Sequence, residues 1–325
     1  MDLDVVFLGT SGSTPTAQRS TAATLVRRGG DRLLVDCGEG TQRQLLRSDV
    51  GLVELEDVFL THLHADHYLG LPGLLKTFAL RGRELPLTVY GPRGLRDLLA
   101  SLRRVFGKLT YPLETVELAP GDALQRDGYR VEAFEVHHGV AAVGYAIVEE
   151  RRPGRFDVGA ADRLGVPSGP ERGALQRGED VTLGEGRVVR AADVVGEERA
   201  GRKVVLSGDT APAATVVDAA AGADLLVHEA TFCAEERDRA RETLHSTAGE
   251  AALVAREAGV RLLALVHLSS RYHGADVAEE ARSLFPDTVV PRDYDVVEIP
   301  FPERGPPELL PRGARRGRPR VGSGA

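Results

Sequence analysis

The 325-residue chain has no tryptophan, one methionine and two cysteines, and aromatic residues make up only 5% of it. Each scarcity excludes something. Cys37 and Cys233 are too few for a disulfide framework. No apolar run approaches the ~18 residues of a membrane span. Met1-Asp2-Leu3-Asp4 has no basic segment leading into an apolar stretch, so no signal peptide is seen and a cytoplasmic protein is expected. A net charge of −7 argues against coating nucleic acid by bulk charge, although it leaves room for a local basic patch. Lysine is scarce too, since Lys76, Lys108 and Lys203 are the only lysines among 41 basic residues. Arginine's planar donor fork suits phosphates, yet a GC-rich genome explains the same bias, and we favour that reading.

What is present is an alternation of strand and helix patterns over a length that can bury a large core. Residues 4–8, 32–35, 58–60, 87–90, 129–136, 204–206, 225–227 and 262–266 read as strands. Residues 69–80, 94–105, 247–258 and 275–284 read as helices, the first with Pro72 near its start, where proline is tolerated. Such mixed order suits an α/β sandwich of two sheets with helices outside. Two segments break it. Residues 149–201 are rich in Gly, Pro, Arg and Glu and too long for an ordinary connection, so they read as a functional arm or a disordered insert. From Pro300 onward, six arginines face only Glu303 and Glu308, and residues 301–325 read as a disordered basic tail.

The chemistry concentrates at strand ends. In His62-Leu63-His64-Ala65-Asp66-His67, the first two histidines can point the same way from an extended segment. Asp66 and His67 then fall on the following turn and can face a second ion. Neutral imidazoles and a carboxylate suit Zn²⁺. Further ligand candidates follow later strands: one of His137 and His138, then Asp209, then His267. Asp209 can bridge two ions through its two oxygens, or could instead cap a helix near Pro212. For His267 the alternative is a strand-end histidine bonded to solvent.

Five further segments stand out: Phe7-Leu8-Gly9-Thr10-Ser11-Gly12, Asp36-Cys37-Gly38-Glu39-Gly40-Thr41-Gln42, His228-Glu229-Ala230-Thr231-Phe232, His245-Ser246-Thr247-Ala248 and His267-Leu268-Ser269-Ser270-Arg271-Tyr272. They resemble motifs of the tRNase Z family, tRNA 3′-processing endoribonucleases of the metallo-β-lactamase superfamily. The resemblance runs from about Leu3 to Pro300. One departure is visible, since Arg19-Ser20 stands where the family usually has Arg-Asn.

The resemblance implies an αββα sandwich over residues 1–300, with residues 150–200 inserted as a protruding arm that grips tRNA. It implies two Zn²⁺ per subunit, one held by His62, His64 and His138, the other by Asp66, His67 and His267, with Asp209 bridging. Two such ions, roughly 3.5–4 Å apart, lower the pKa of a shared water and stabilise charge on a phosphodiester. Asp66 is also a candidate base, and His245, oriented by Glu229, a candidate acid for the leaving 3′-oxygen. Otherwise His245 would cap the next helix and Glu229 would be an ion-pair partner. Asp36 is expected to orient ligand histidines, Cys37 to be a small buried residue, and Arg271 to meet the terminal phosphates. Gly169-Pro170, with Gly173, Leu175 and Gly178, resembles the arm's tip, although residues 151–180 carry a net charge of only +1. Precursor tRNA is the expected partner and a homodimer the expected assembly. The alternatives are another metallo-β-lactamase-fold phosphodiesterase or lactonase with a small substrate, or a non-catalytic binding protein.

Overall fold

The computed structural model describes residues 2–52 and 55–313. The first sheet opens with β1 (Leu3–Gly9), β2 (Ala23–Arg28) and β3 (Asp31–Val35), paired antiparallel in sequence. After α1 (Thr41–Arg47), β4 (Asp57–Phe59) joins β3 in parallel. Helices α2 (Ala65–Tyr68) and α3 (Leu71–Leu80) precede β5 (Leu87–Gly91), and α4 (Leu95–Phe106) precedes β6 (Leu113–Glu117), both strands again parallel. Leu71, Leu74, Leu75 and Phe78 of α3, with Leu95, Leu99 and Phe106 of α4, pack on Val6, Leu8, Leu34 and Val58. Both faces of β3 are therefore covered, which explains its unbroken Leu33-Leu34-Val35 run.

The second sheet begins with β7 (Ala123–Arg126), β8 (Tyr129–Glu135) and β9 (Val143–Glu149). Tyr145 of β9 is fully buried between the sheets; its ring meets Phe59 edge-on at 5.2 Å and its hydroxyl donates to the Leu60 carbonyl at 2.8 Å. Burying that ring is favourable because its hydroxyl keeps a partner.

Residues 148–202, with 126–130, form a second compact unit. It contains α5 (Val158–Arg163), α6 (Pro170–Gln176), β10 (Val181–Thr182) and β11 (Val188–Val189). Ala161, Val166, Leu175, Val189, Ala191 and Val194 form its own core. The insert is folded, which overturns the disordered alternative. A buried ion pair, Arg202 Nη2 to Glu149 Oε1 at 2.7 Å and Nε to Oε2 at 2.8 Å, joins its two ends.

The second sheet resumes with β12 (Lys203–Leu206), α7 (Ala214–Ala220), β13 (Leu225–Glu229), α8 (Arg237–Thr243), α9 (Ala248–Ala258), β14 (Leu263–Val266), α10 (Gly274–Arg282) and β15 (Thr288–Val289). The four strands are parallel neighbours. Helix α9 starts at a capping box, Thr247 with Glu250, and stops at left-handed Gly259. The chain then returns to the first sheet as β16 (Val296–Glu298) and β17 (Glu308–Leu310). The expected disordered tail is thus corrected for residues 301–310, because β17 pairs with β16 and buries Leu310. Residues 314–325 lie outside the described residues. No described helix is long and apolar enough to cross a membrane.

Candidate metal centre

Parallel strands present their carboxyl ends along one edge, and ligand sites gather there. Asp36 follows β3, His62 to His67 follow β4, Asp209 follows β12, Glu229 ends β13 and His267 follows β14. His64 caps the short helix α2, so Asp66 and His67 lie in its single turn.

Two of the groupings that could hold a metal ion match the expected ligand sets. In the first, His64 Nδ1 lies 3.0 Å from His62 Nε2 and 3.3 Å from His138 Nε2. His137 is exposed and pairs its backbone with Ala211, so His138 is the histidine that faces the centre. In the second, Asp66 Oδ2 lies 3.2 Å from His267 Nε2 and 3.6 Å from His67 Nε2. Asp209 Oδ2 stands between them, 3.7 Å from His62 Nε2, 3.4 Å from His67 Nε2 and 3.3 Å from His267 Nε2. Asp209 is not a helix cap, since α7 starts at Ala214 behind Ala213.

Nδ1 atoms are held from behind. Asp36 Oδ2 bonds His67 Nδ1 at 2.8 Å, Thr61 Oγ1 bonds His62 Nδ1 at 3.1 Å, and the Leu244 carbonyl accepts from His138 Nδ1 at 3.1 Å. Thr231 Oγ1 bonds His267 Nδ1 at 2.8 Å. These contacts turn the Nε2 lone pairs of His62, His67, His138 and His267 inward.

The fit to a cation rests on His67. Its Nε2 is buried without a hydrogen-bond partner among the described residues, a costly state unless something else satisfies it. Burial opposes charge on His67, but the Asp209 and Asp36 carboxylates hold its pKa well above the ordinary value. Burial drives His62 the other way, well below it. A cation bound at His67 Nε2 would take the place of that proton and supply the missing partner. The donor chemistry, imidazole and carboxylate, suits a divalent transition metal.

Beside the second set, Glu229 Oε1 lies 2.7 Å from His245 Nδ1. Burial works against charge on His245, but Glu229 more than offsets it and raises the pKa to about 9. Thr247, not His245, caps α9, while Glu229 is fully enclosed and is the ion-pair partner of His245. Glu229 also accepts from Thr210 N, Thr231 N and Thr231 Oγ1.

The Metallo-beta-lactamase superfamily profile matches residues 17–291. Ribonuclease Z from Gemmatimonas aurantiaca is 48% identical over 308 residues, spanning 93% of this chain and 98% of that protein. Ribonuclease Z from Myxococcus xanthus is 49% identical over 304 residues, spanning 92% and 98%. The chain belongs to the ribonuclease Z family. Human tRNase Z, short form, superposes with a TM-score of 0.66 at 28% identity, over 91% of this chain and 99% of that one.

Several residues of this ribonuclease Z family member escape a sequence reading. Thr231 links His267 to Glu229 through one hydroxyl, and Thr61 links His62 to Asp36. Ser13 N donates to Asp66 Oδ2 at 2.9 Å. Ser13 and Leu244, at φ 58° and 56°, share left-handed backbone with Asp36 and His267, at 60° and 57°. Gly12 is required by space, because a Cβ there would lie 2.8 Å from both Nδ1 and the carbonyl oxygen of His267. Cys37 is the expected small buried residue, with its thiol pushed up to about 12. Arg271 is exposed and lies 3.3 and 3.4 Å from the Glu236 carboxylate oxygens.

Proposed function

We propose that this chain is a zinc-dependent endoribonuclease that removes the 3′ trailer from precursor tRNA. Hydrolysis falls after the discriminator nucleotide and leaves a 3′-hydroxyl on the tRNA and a 5′-phosphate on the trailer. The observation that carries the reading is the convergence of two ligand sets on Asp209 Oδ2, in a chain nearly half identical to proteins named ribonuclease Z.

His62, His64 and His138 would hold one zinc ion, and Asp66, His67 and His267 the other, with Asp209 between them. Bound there, the ions supply Lewis acidity for the scissile phosphate and an acidified water as nucleophile. Asp66, whose Oδ2 is fixed by Ser13 N, would orient the attacking water. Its pKa is depressed: burial opposes charge, but the bond to His267 outweighs it, which favours orientation over proton storage. His245, kept protonated at neutral pH by Glu229, delivers a proton to the departing 3′-oxygen. Residues 148–202 bind the tRNA body as an arm, their folded core giving a rigid platform. The enzyme works in the cytoplasm as a homodimer.

The test uses a 3′-extended precursor tRNA, the same trailer on an unstructured RNA, and a small phosphodiester. Cleavage of the first at one bond, with a 3′-hydroxyl on the tRNA product, is the expected result. Turnover of the small diester with the precursor tRNA left intact would favour the small-substrate phosphodiesterase.

A further inference from the structure

A cavity of about 550 Å³ lies within the main unit, lined by residues 16–20 of the loop after β1, Gln44 and Arg47 of α1, and residues 290, 292–295 and 311–312. None of its lining residues is a metal-ligand candidate. Its size falls in the range of small-ligand sites. Four guanidinium groups line it, those of Arg19, Arg47, Arg292 and Arg312, around the ring of Tyr294.

The charges do not cancel internally. Asp293 accepts from Thr10 Oγ1, Ser20 N and Gln44 Nε2. Asp295 accepts the backbone N–H of Arg292 and of Arg312. Arg19 is spent on Thr10 Oγ1 and the Pro291 carbonyl. No described carboxylate forms an ion pair with the guanidinium of Arg47, Arg292 or Arg312, and all three side chains are exposed. With four cations against two carboxylates already bonded, the cavity favours an anion.

Tyr294 arranges these cations. It sits at φ 75°, a costly conformation for a bulky residue. Its hydroxyl donates to Gln44 Oε1, which fixes the ring. The Arg312 guanidinium lies 4.2 Å from the ring centroid and that of Arg47 5.8 Å. A guanidinium held against an aromatic ring keeps its N–H edge available for a phosphate.

The cavity is joined to the metal centre by its own wall. Ser13 N touches Asp66, and Thr16, three residues on, lines the cavity, a span of at most about 11 Å. Arg19 also packs at the start of α10, just beyond the segment carrying His267. That separation is one or two nucleotides of an RNA strand.

We propose that this cavity is a phosphate-binding subsite for the RNA backbone, engaging a strand beside the scissile bond through Arg47, Arg292 and Arg312. The choice of RNA as the source of phosphate rests on the endoribonuclease reading. Contacts of this kind position a strand without reading its sequence.

The test compares the zinc-loaded full chain with its R47A/R292A/R312A variant, which removes no side chain that is in an ion pair with a described carboxylate. Binding of a 3′-extended precursor tRNA and of a short unstructured RNA is measured across salt concentrations. The variant should bind both more weakly, with the slope of log Kd against log salt reduced by about 2, while turnover of a small phosphodiester stays unchanged. Equal affinity and equal slope in the two proteins would overturn the subsite. If the wild-type protein leaves precursor tRNA uncut yet the variant loses affinity for the unstructured RNA, the tRNA-processing reading fails and the subsite stands.

Discussion

Replacing His245 by alanine separates proton delivery from everything else the centre does. In the structure His245 bonds Glu229 at 2.7 Å, and its pKa of about 9 leaves it ~99% protonated at pH 7. A positioned general acid contributes about 10²- to 10⁴-fold, so cleavage of precursor tRNA should fall by that factor. The fold should survive. Glu229 keeps Thr210 N at 3.0 Å, Thr231 N at 3.1 Å and Thr231 Oγ1 at 2.6 Å, so its buried carboxylate is not orphaned. Losing one charge-assisted hydrogen bond, with three other donors left on the carboxylate, costs about 1.5–3 kcal/mol. The ligand sets are untouched, and zinc content should match the wild type. The assay is single-turnover cleavage of two substrates, precursor tRNA and a p-nitrophenyl phosphodiester. The second leaves as a stabilised phenolate and needs no proton, so its rate should change only a few-fold. Equal losses on both substrates, at equal zinc content, would refute a proton-donor role.

Three further outcomes follow from the same geometry. Glu229→Gln removes the charge that most raises His245, so the alkaline limb of the pH–rate profile should move to lower pH than about 9. Because the active form is the protonated one, the loss appears as pH rises and is smallest on the acid side. A pH-rate profile with an unmoved alkaline limb would contradict this. Gly12→Ala places a Cβ 2.8 Å from the ring and carbonyl of His267, and elemental analysis should find about one zinc equivalent lost while circular dichroism stays native. Unchanged zinc content would show that His267 is not displaced. Adding zinc to chelated protein at pH 7 should release protons, because His67 holds one when only protein groups surround it, and should raise Tm by several degrees. An indicator dye and scanning calorimetry read both, and no change in either would contradict a buried metal site.

Much of the centre is legible in the sequence because ligands at strand ends need only a short apolar run followed by polar residues. His62, His64, Asp66, His67, Asp209 and His267 all stand that way, and parallel pairing brings their strand ends to one edge. His137 and His138 are different: adjacent residues on a strand end point to opposite sides, and only the fold shows that His138 faces His64. Thr231 and Thr61 act through hydroxyls whose partners lie in other elements, which no local pattern announces. The insert looked ambiguous because its core residues, from Ala161 to Val194, are spread singly among Gly, Arg and acidic residues. Strand β17 is three residues long and carries no alternation of its own; it exists because β16 offers an edge. The cavity around Tyr294 joins residues from positions 16 to 312, a closure visible only after the sheet returns to its first strand.

The most direct test of the account is an anomalous difference map at the zinc edge from crystals of the zinc-loaded protein. Two peaks about 3.5–4 Å apart, flanking Asp209, are expected, one against His62, His64 and His138 and the other against Asp66, His67 and His267. A single peak, or two that do not share Asp209, would contradict it.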